Sequence, residues 1–193
     1  MQVALQAPDV RYPGAVGTTS RDVAQFILEE HGDLDTWKLQ KLVYNVQAWH
    51  LAEYGSPAFD DEIQAFVDGP VARDLFAAHQ NQKFVHRIWK GDPKRVEDSV
   101  REMVRQVWDH FGSENGATLR ELSHAEPAWI EAREGLKPNE PSDRPLSPAT
   151  MAATTKAYLA ALDRLPSPTD EQVSSEEGLT KYLRQASSAI RSD

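Results

Sequence analysis

Cysteine is absent from this chain. Disulfides, thiolate nucleophiles and cysteine-type zinc sites are excluded together, which fits a reducing compartment. Long apolar runs are missing too. None approaches the ~18 residues that would span a membrane, and the N-terminus lacks a basic segment followed by an apolar one. The expectation is a soluble, unexported, cytoplasmic protein. Positive charge is scarce: 21 Lys and Arg stand against 30 Asp and Glu, a net charge of −9. Nucleic-acid binders usually carry a basic patch, and the cluster Lys94-Arg95 is diluted at once by Glu97 and Asp98. Direct nucleic-acid binding is not expected, whereas an acidic surface complements a basic partner protein.

Motifs for chemistry are equally scarce. No GxSxG serine, P-loop or dinucleotide-binding glycine pattern occurs. The six histidines, His31, His50, His79, His86, His110 and His124, show neither HxxxH nor HExxH spacing. Acidic neighbours such as Glu29-Glu30 and Asp60-Asp61-Glu62 point about 100° apart on a helix and form no dyad. The expectation is a non-enzyme that needs no metal or cofactor. Carboxylates brought together from separate elements would make an enzyme with a dispersed site, which stays as an alternative.

What is present is helical periodicity. The chain has 193 residues, 40% of them hydrophobic, enough for one core. Thr19 with Asp22 forms a capping box for a first helix that Gly32 stops. A second helix starts at Asp35 or Thr36 and ends at Gly55. Its Leu39, Leu42, Val43, Val46 and Trp49 share one face. Ile63, Ala65 and Val67 alternate, which predicts a short extended piece near 62–67. Asp68-Gly69-Pro70 reads as a turn, with Pro70 opening a third helix. Asp92 and Pro93 open a helix running to Gly112, with Val96, Val100, Met103, Val104, Val107, Trp108 and Phe111 as its stripe. Thr118 caps a short helix with Glu121 as box partner, Pro127 opens another, and Ser147-Pro148 starts a last one. The predicted fold is mainly α: a single compact multi-helix domain over 19–165. An arm over 1–18 precedes it, and a polar tail over 166–193 follows. Leu179, Tyr182, Leu183, Ala186 and Ile190 give that tail a short amphipathic helix.

Three blocks carry a family resemblance. The first is Lys38-Leu39-Gln40-Lys41-Leu42-Val43-Tyr44-Asn45-Val46-Gln47-Ala48-Trp49-His50-Leu51-Ala52. The second runs from Phe59 to Phe66 and on to Asp68-Gly69-Pro70-Val71. The third holds Leu122-Ser123-His124 before Pro127-Ala128-Trp129. In this order the blocks resemble the Panacea antitoxin-domain family, the SocA- and GepA-like proteins, over roughly Asp22 to Arg133. Asn45 departs from the family where an aromatic is common, and Ala48 where glycine is common. The resemblance implies a bacterial or phage toxin–antitoxin system. The partner would be a cognate toxin encoded by an adjacent gene and neutralised by direct protein–protein binding. The alternative it implies is an adaptor that delivers the toxin to a housekeeping protease. No attached DNA-binding module is expected, since the 18-residue arm is too short for one.

Turns on a rigid helical scaffold are natural places for recognition. The expected partner-binding residues are Trp37, Gln40, Lys41 and Tyr44 on the second helix, and Asp68, Gly69, Pro70, Val71 and Arg73 around the turn. Trp89 is added because, with Trp37, it falls outside the core stripes and suits an exposed aromatic anchor. His50 and His124 lie in family blocks. They read either as a shared polar contact or, more commonly, as core-edge histidines bonded to backbone.

Overall fold

A central helix organises the molecule. The computed structural model describes residues 17–169, 172 and 176–189. Among them, α1 (Ser20–His31), α2 (Thr36–Tyr54), α3 (Arg73–His79), α4 (Asp98–Phe111), α5 (Gly116–His124), α6 (Pro127–Ala132), α7 (Pro148–Arg164) and α8 (Glu176–Ala189) are the α-helices. Two antiparallel pairs accompany them: β1 (Leu34–Asp35) with β4 (Phe84–Val85), and β2 (Ile63–Phe66) with β3 (Gly69–Ala72). The fold is mainly α, as the periodicity predicts.

Every residue of α2 from Leu39 to Ala52 is buried, polar ones included. α1, α4, α5, α7 and β3 all pack against it. A helix covered on every side must satisfy its polar side chains internally. Gln47 does so by accepting from the Ala58 amide at 2.8 Å and donating to the Phe59 carbonyl at 2.9 Å. His50 Nδ1 meets the Ser56 carbonyl at 2.7 Å, the backbone-bonded role. His124 instead stacks on Trp129, ring centroids 4.2 Å apart.

Several helix boundaries follow their caps. The Thr19–Asp22 capping box is present, and Asp35 accepts from the Lys38 amide to start α2. Ser147 caps α7, whose first residue is Pro148. Others differ from expectation. The helix predicted from Asp92 breaks in two: Pro93–Arg95 is a single 3-10 turn, and α4 starts only at Asp98. The intervening backbone is committed elsewhere. The Thr18 hydroxyl takes the Arg95 carbonyl, and Arg101 donates to the carbonyls of Pro93 and Val96. α5 starts two residues before Thr118, because the Asn115 side chain accepts from the Thr118 amide at 2.9 Å and acts as the cap.

Pro70 does not open a helix. It lies in β3, opposite Ala65, in a hairpin whose turn is Val67-Asp68. In this register Phe66 faces Gly69 across the two-residue turn. Pro70 then falls at a position whose N–H points away from β2. A missing N–H there costs no ladder bond, and α3 waits until Arg73.

The arm expected over 1–18 lies outside the described residues except for Gly17 and Thr18, and so does Ile190. The tail helix expected near its end is α8. It packs on α7 and α5 with Thr180, Leu183 and Ala186 buried. The Thr180 hydroxyl donates to Glu114 at 2.6 Å, and Arg184 pairs with Glu121.

Candidate partner-binding groove

The three sequence blocks meet at the β2–β3 hairpin. β3 turns the Pro70 carbonyl and the Ala72 amide away from β2, and α2 supplies both partners. Lys41 Nζ donates to the Pro70 carbonyl at 3.0 Å. Gln40 Oε1 accepts from the Ala72 amide at 3.0 Å. Two side chains of a helix thus take the place of a neighbouring strand. The outer edge of β2 is spent as well. The Ala65 amide donates to the Arg144 carbonyl, the Leu146 amide to the Ile63 carbonyl, and Arg133 to the Ala65 carbonyl. From the third block, Trp129 Nε1 donates to the Phe66 carbonyl at 3.0 Å and Arg120 pairs with Asp68 at 2.8 Å. The hairpin is locked on both sides.

Gly69 is required at this junction. Its φ is +97°, and a Cβ there would meet Ser123 Oγ at 2.7 Å and Lys41 Cε at 2.8 Å. Gln40 has a second bond, from its Nε2 to His79 Nε2 at 2.8 Å. Because Gln40 Oε1 is fixed by Ala72, this His79 nitrogen is the acceptor and its proton sits on Nδ1. Burial lowers the His79 pKa, consistent with a neutral ring.

Between the N-terminal half of α2, the hairpin and α3 lies an open groove of about 720 Å³. Trp37, Phe66, Val71 and Phe76 supply its apolar surface. Asp68, Arg73 and Asp143 supply charge, and Gln80, Asn81 and Gln82 form one wall. Trp37 is 43% exposed and lies under the Arg120 guanidinium, 5.6 Å from its ring centroid. The Asp68–Arg120–Trp37 set stiffens the rim.

Beneath the groove the electrostatics are unusual. Burial pushes the Lys41 ammonium down to about 7, with Arg120 adding to the effect while Asp68 and Glu126 oppose it. Burial lifts the Glu126 carboxyl to about 7, against its hydrogen bond from the Tyr44 hydroxyl and the pull of Lys41. Burial raises Tyr44 well above its usual value, and Glu126 raises it further. Burial lowers His124 to about 4, with Arg120 and Lys41 contributing.

Glu126 sets a pH dependence. A carboxyl lifted from 4.5 to about 7 holds its proton more tightly in the folded state. Its contribution is full below the unfolded value and is lost as pH rises through the folded one. Stability is expected to fall between pH 4.5 and 7, by on the order of 3 kcal/mol. Urea midpoints across that window should show the decline in the wild type and a flattened curve in Glu126→Gln. An unaltered slope in the variant would assign the titration to another group.

The same elements carry a similarity to a known family. Residues 39–130 match the family model described as antitoxin SocA-like, Panacea domain. The resemblance read from the sequence thus holds over just under half of the chain. No curated protein and no solved structure matches the chain.

The matched segment supplies most of α2, the hairpin, α3 and the whole of the third block. The structure sorts the expected contact residues into three groups. Trp37, Asp68 and Arg73 are at least partly exposed and line the groove. Gln40, Lys41, Tyr44, Gly69, Pro70 and Val71 are buried. A contact residue is expected to be exposed, and burial corrects this for Gln40, Lys41 and Tyr44: their polar atoms are consumed by the hairpin backbone and by Glu126. Val71, Gln40 and Lys41 still contribute to the groove lining. Trp89, 67% exposed, lies outside that lining.

The groove residues that sequence reasoning missed are Thr36, Gln64, Phe66, Val67, Phe76, His79, the wall at 80–82 and Pro141–Asp143. None carried a signal, because their proximity is created by the hairpin. Among the described residues, no group of three or more His, Asp or Glu is placed to hold a metal ion, and no helix is long and apolar enough to cross a membrane.

Proposed function

We propose that this protein is an antitoxin that neutralises a separately encoded toxin by direct binding, with the toxin seated in the groove between α2, the hairpin and α3. The match of residues 39–130 to an antitoxin domain carries this reading. The groove supports it. Its apolar floor and mixed-charge rim belong to a rigid scaffold, and the titratable groups beneath are engaged within it, Lys41 on the hairpin and Tyr44 on Glu126. A preorganised surface loses little entropy on binding.

Co-expression with the product of the adjacent gene tests it. That product should arrest growth alone, and this chain should restore growth and co-purify with it. Trp37→Ala with Arg73→Ala removes the exposed aromatic and the exposed cation of the groove. The pair is expected to weaken binding at least tenfold while leaving the melting temperature within a few degrees. Rescue at wild-type levels would remove the groove from the contact. A harmless neighbouring product would end the antitoxin reading.

Delivery of the toxin to a protease requires a tail free to act as a tether. Leu183 and Ala186 of α8 are in the core, 1% and 0% exposed, which favours masking. Rescue in cells lacking the housekeeping proteases separates the two modes: masking persists there and delivery does not.

A further inference from the structure

Residues 83–90 read Lys-Phe-Val-His-Arg-Ile-Trp-Lys, with no carboxylate among them. Two of these residues are anchors. Val85 and Ile88 are 0% and 1% exposed, whereas Phe84 and Trp89 are 54% and 67% exposed. Lys83, His86, Arg87 and Lys90 are exposed as well. The backbone is held in place: Val85 pairs with Leu34, the Thr36 amide donates to the Lys83 carbonyl at 3.2 Å, and Gln25 accepts from the Ile88 amide at 2.8 Å. The strip is a fixed platform with aromatics and cations turned to solvent.

Backbone conformation and charge set it apart further. Among the described residues, the non-glycine positions with positive φ are Asn81, at 68°, and Lys90, at 62°. They bracket the platform. A lysine held in this region reflects enforcement by its surroundings, and such residues cluster at binding sites. Here the conformation carries the Lys90 ammonium over the Trp89 ring, 4.3 Å from its centroid. Two carboxylates near it are already engaged: Asp33 takes His86 of the platform itself at 2.5 Å, and Asp92 lies 3.9 Å from Arg95. Lys83, Arg87 and Lys90 form no ion pair within the described residues. Exposed tryptophan and arginine on a rigid base are the usual anchors of an interface.

We propose that this platform docks an acidic segment of the partner protein, so that the contact has the opposite sign to the chain as a whole. The proposal rests on the antitoxin reading and specifies the chemistry of the toxin's contact segment. The surface continues from the groove, since Gln80–Gln82 form the groove wall and Lys83 follows directly. A short acidic segment senses only charges within a Debye length of about 8 Å. A long polynucleotide spans more of a molecule whose net charge is −9 and is repelled by it. The local field therefore favours a protein segment.

The test uses the full chain and the purified product of the adjacent gene, with affinity measured from 50 to 300 mM salt. Wild-type affinity is expected to fall as salt rises. Lys83→Glu, Arg87→Glu and Lys90→Glu together should weaken binding at least tenfold at low salt and flatten or invert that dependence. Trp89→Ala should weaken it about tenfold and keep the slope. All four positions are exposed, so melting temperatures should hold and serve as the control. Tighter binding by the charge-reversed variant would mean a basic partner surface and overturn the proposal. Unchanged binding would place the platform outside the interface while leaving the antitoxin reading intact. A twelve-nucleotide oligouridylate that binds the wild type and not the reversed variant, with toxin affinity unchanged, would make this a nucleic-acid surface and also overturn it. If the neighbouring product forms no complex at all, this proposal and the antitoxin reading fail together.

Discussion

Val104→Asp should leave no cooperatively folded protein. Val104 is 1% exposed and lies between Val100, Met103, Val107 and Phe111 on the buried stripe of α4. These are apolar contacts that give a carboxylate no partner. Burying it unpaired costs several kcal/mol, a large part of the ~5–15 kcal/mol that holds a domain together. Two controls define the cause. Val104→Ala removes only packing and should cost about 2 kcal/mol. Arg105→Ala, on the opposite face and in an exposed pair with Glu102, should cost under about 1 kcal/mol. Thermal melts followed by circular dichroism rank the three. A Val104→Asp protein that melts like the wild type would show that this face of α4 is not core.

Gly69→Ala should be nearly as severe for function and costly for stability. The backbone at Gly69 has φ +97°, where a side chain is strained, and the new Cβ would press on Ser123 Oγ and Lys41 Cε. Neither atom is free to withdraw. Ser123 Oγ donates to the Arg120 carbonyl at 2.8 Å, and the Lys41 ammonium is fixed on the Pro70 carbonyl at 3.0 Å. The expected cost is about 3 kcal/mol, from strain and from displacement of the latch. Gly55→Ala provides the comparison. Gly55 has φ +68°, with nothing near the position of a Cβ, so only strain remains, about 1 kcal/mol. Urea midpoints give both values. Under the proposed antitoxin function, Gly69→Ala should also lose toxin rescue, because the hairpin forms one side of the groove. Equal costs at the two glycines would show that the Lys41–Ser123 crowding has no energetic weight.

Several helix ends were legible where a cap coincided with a period. Thr19 with Asp22, Asp35 before α2, Gly55 after it and Ser147-Pro148 all mark ends the structure retains. The failures have two physical origins. At Pro70, Val96 and Thr118 a local rule lost to a bond from far along the chain or to a competing cap. Examples are the pairing of Ala65 with Pro70 and the Thr18 hydroxyl on the Arg95 carbonyl. The long-range bonds leave no trace in a window of neighbouring residues, whereas the Asn115 cap that displaced Thr118 is local.

The candidate contact residues divide along the same line. Trp37 and Trp89 fall outside the apolar stripes, and both are exposed, 43% and 67%. Gln40, Lys41 and Tyr44 look like a solvent-facing edge, since polar side chains on one side of a helix usually face water. They are buried because β3 and Glu126 present polar atoms that only they satisfy.

By itself the sequence determined the helical class, the caps, the apolar stripes and the three family blocks, because each rests on residues within a few turns of one another. Tertiary structure alone decided that those blocks converge on one hairpin, that a groove opens beside it, and that a basic aromatic platform continues from its wall. Those features depend on the β2–β3 register and on side chains of α2 standing in for a strand. They exist only once residues tens of positions apart have come into contact.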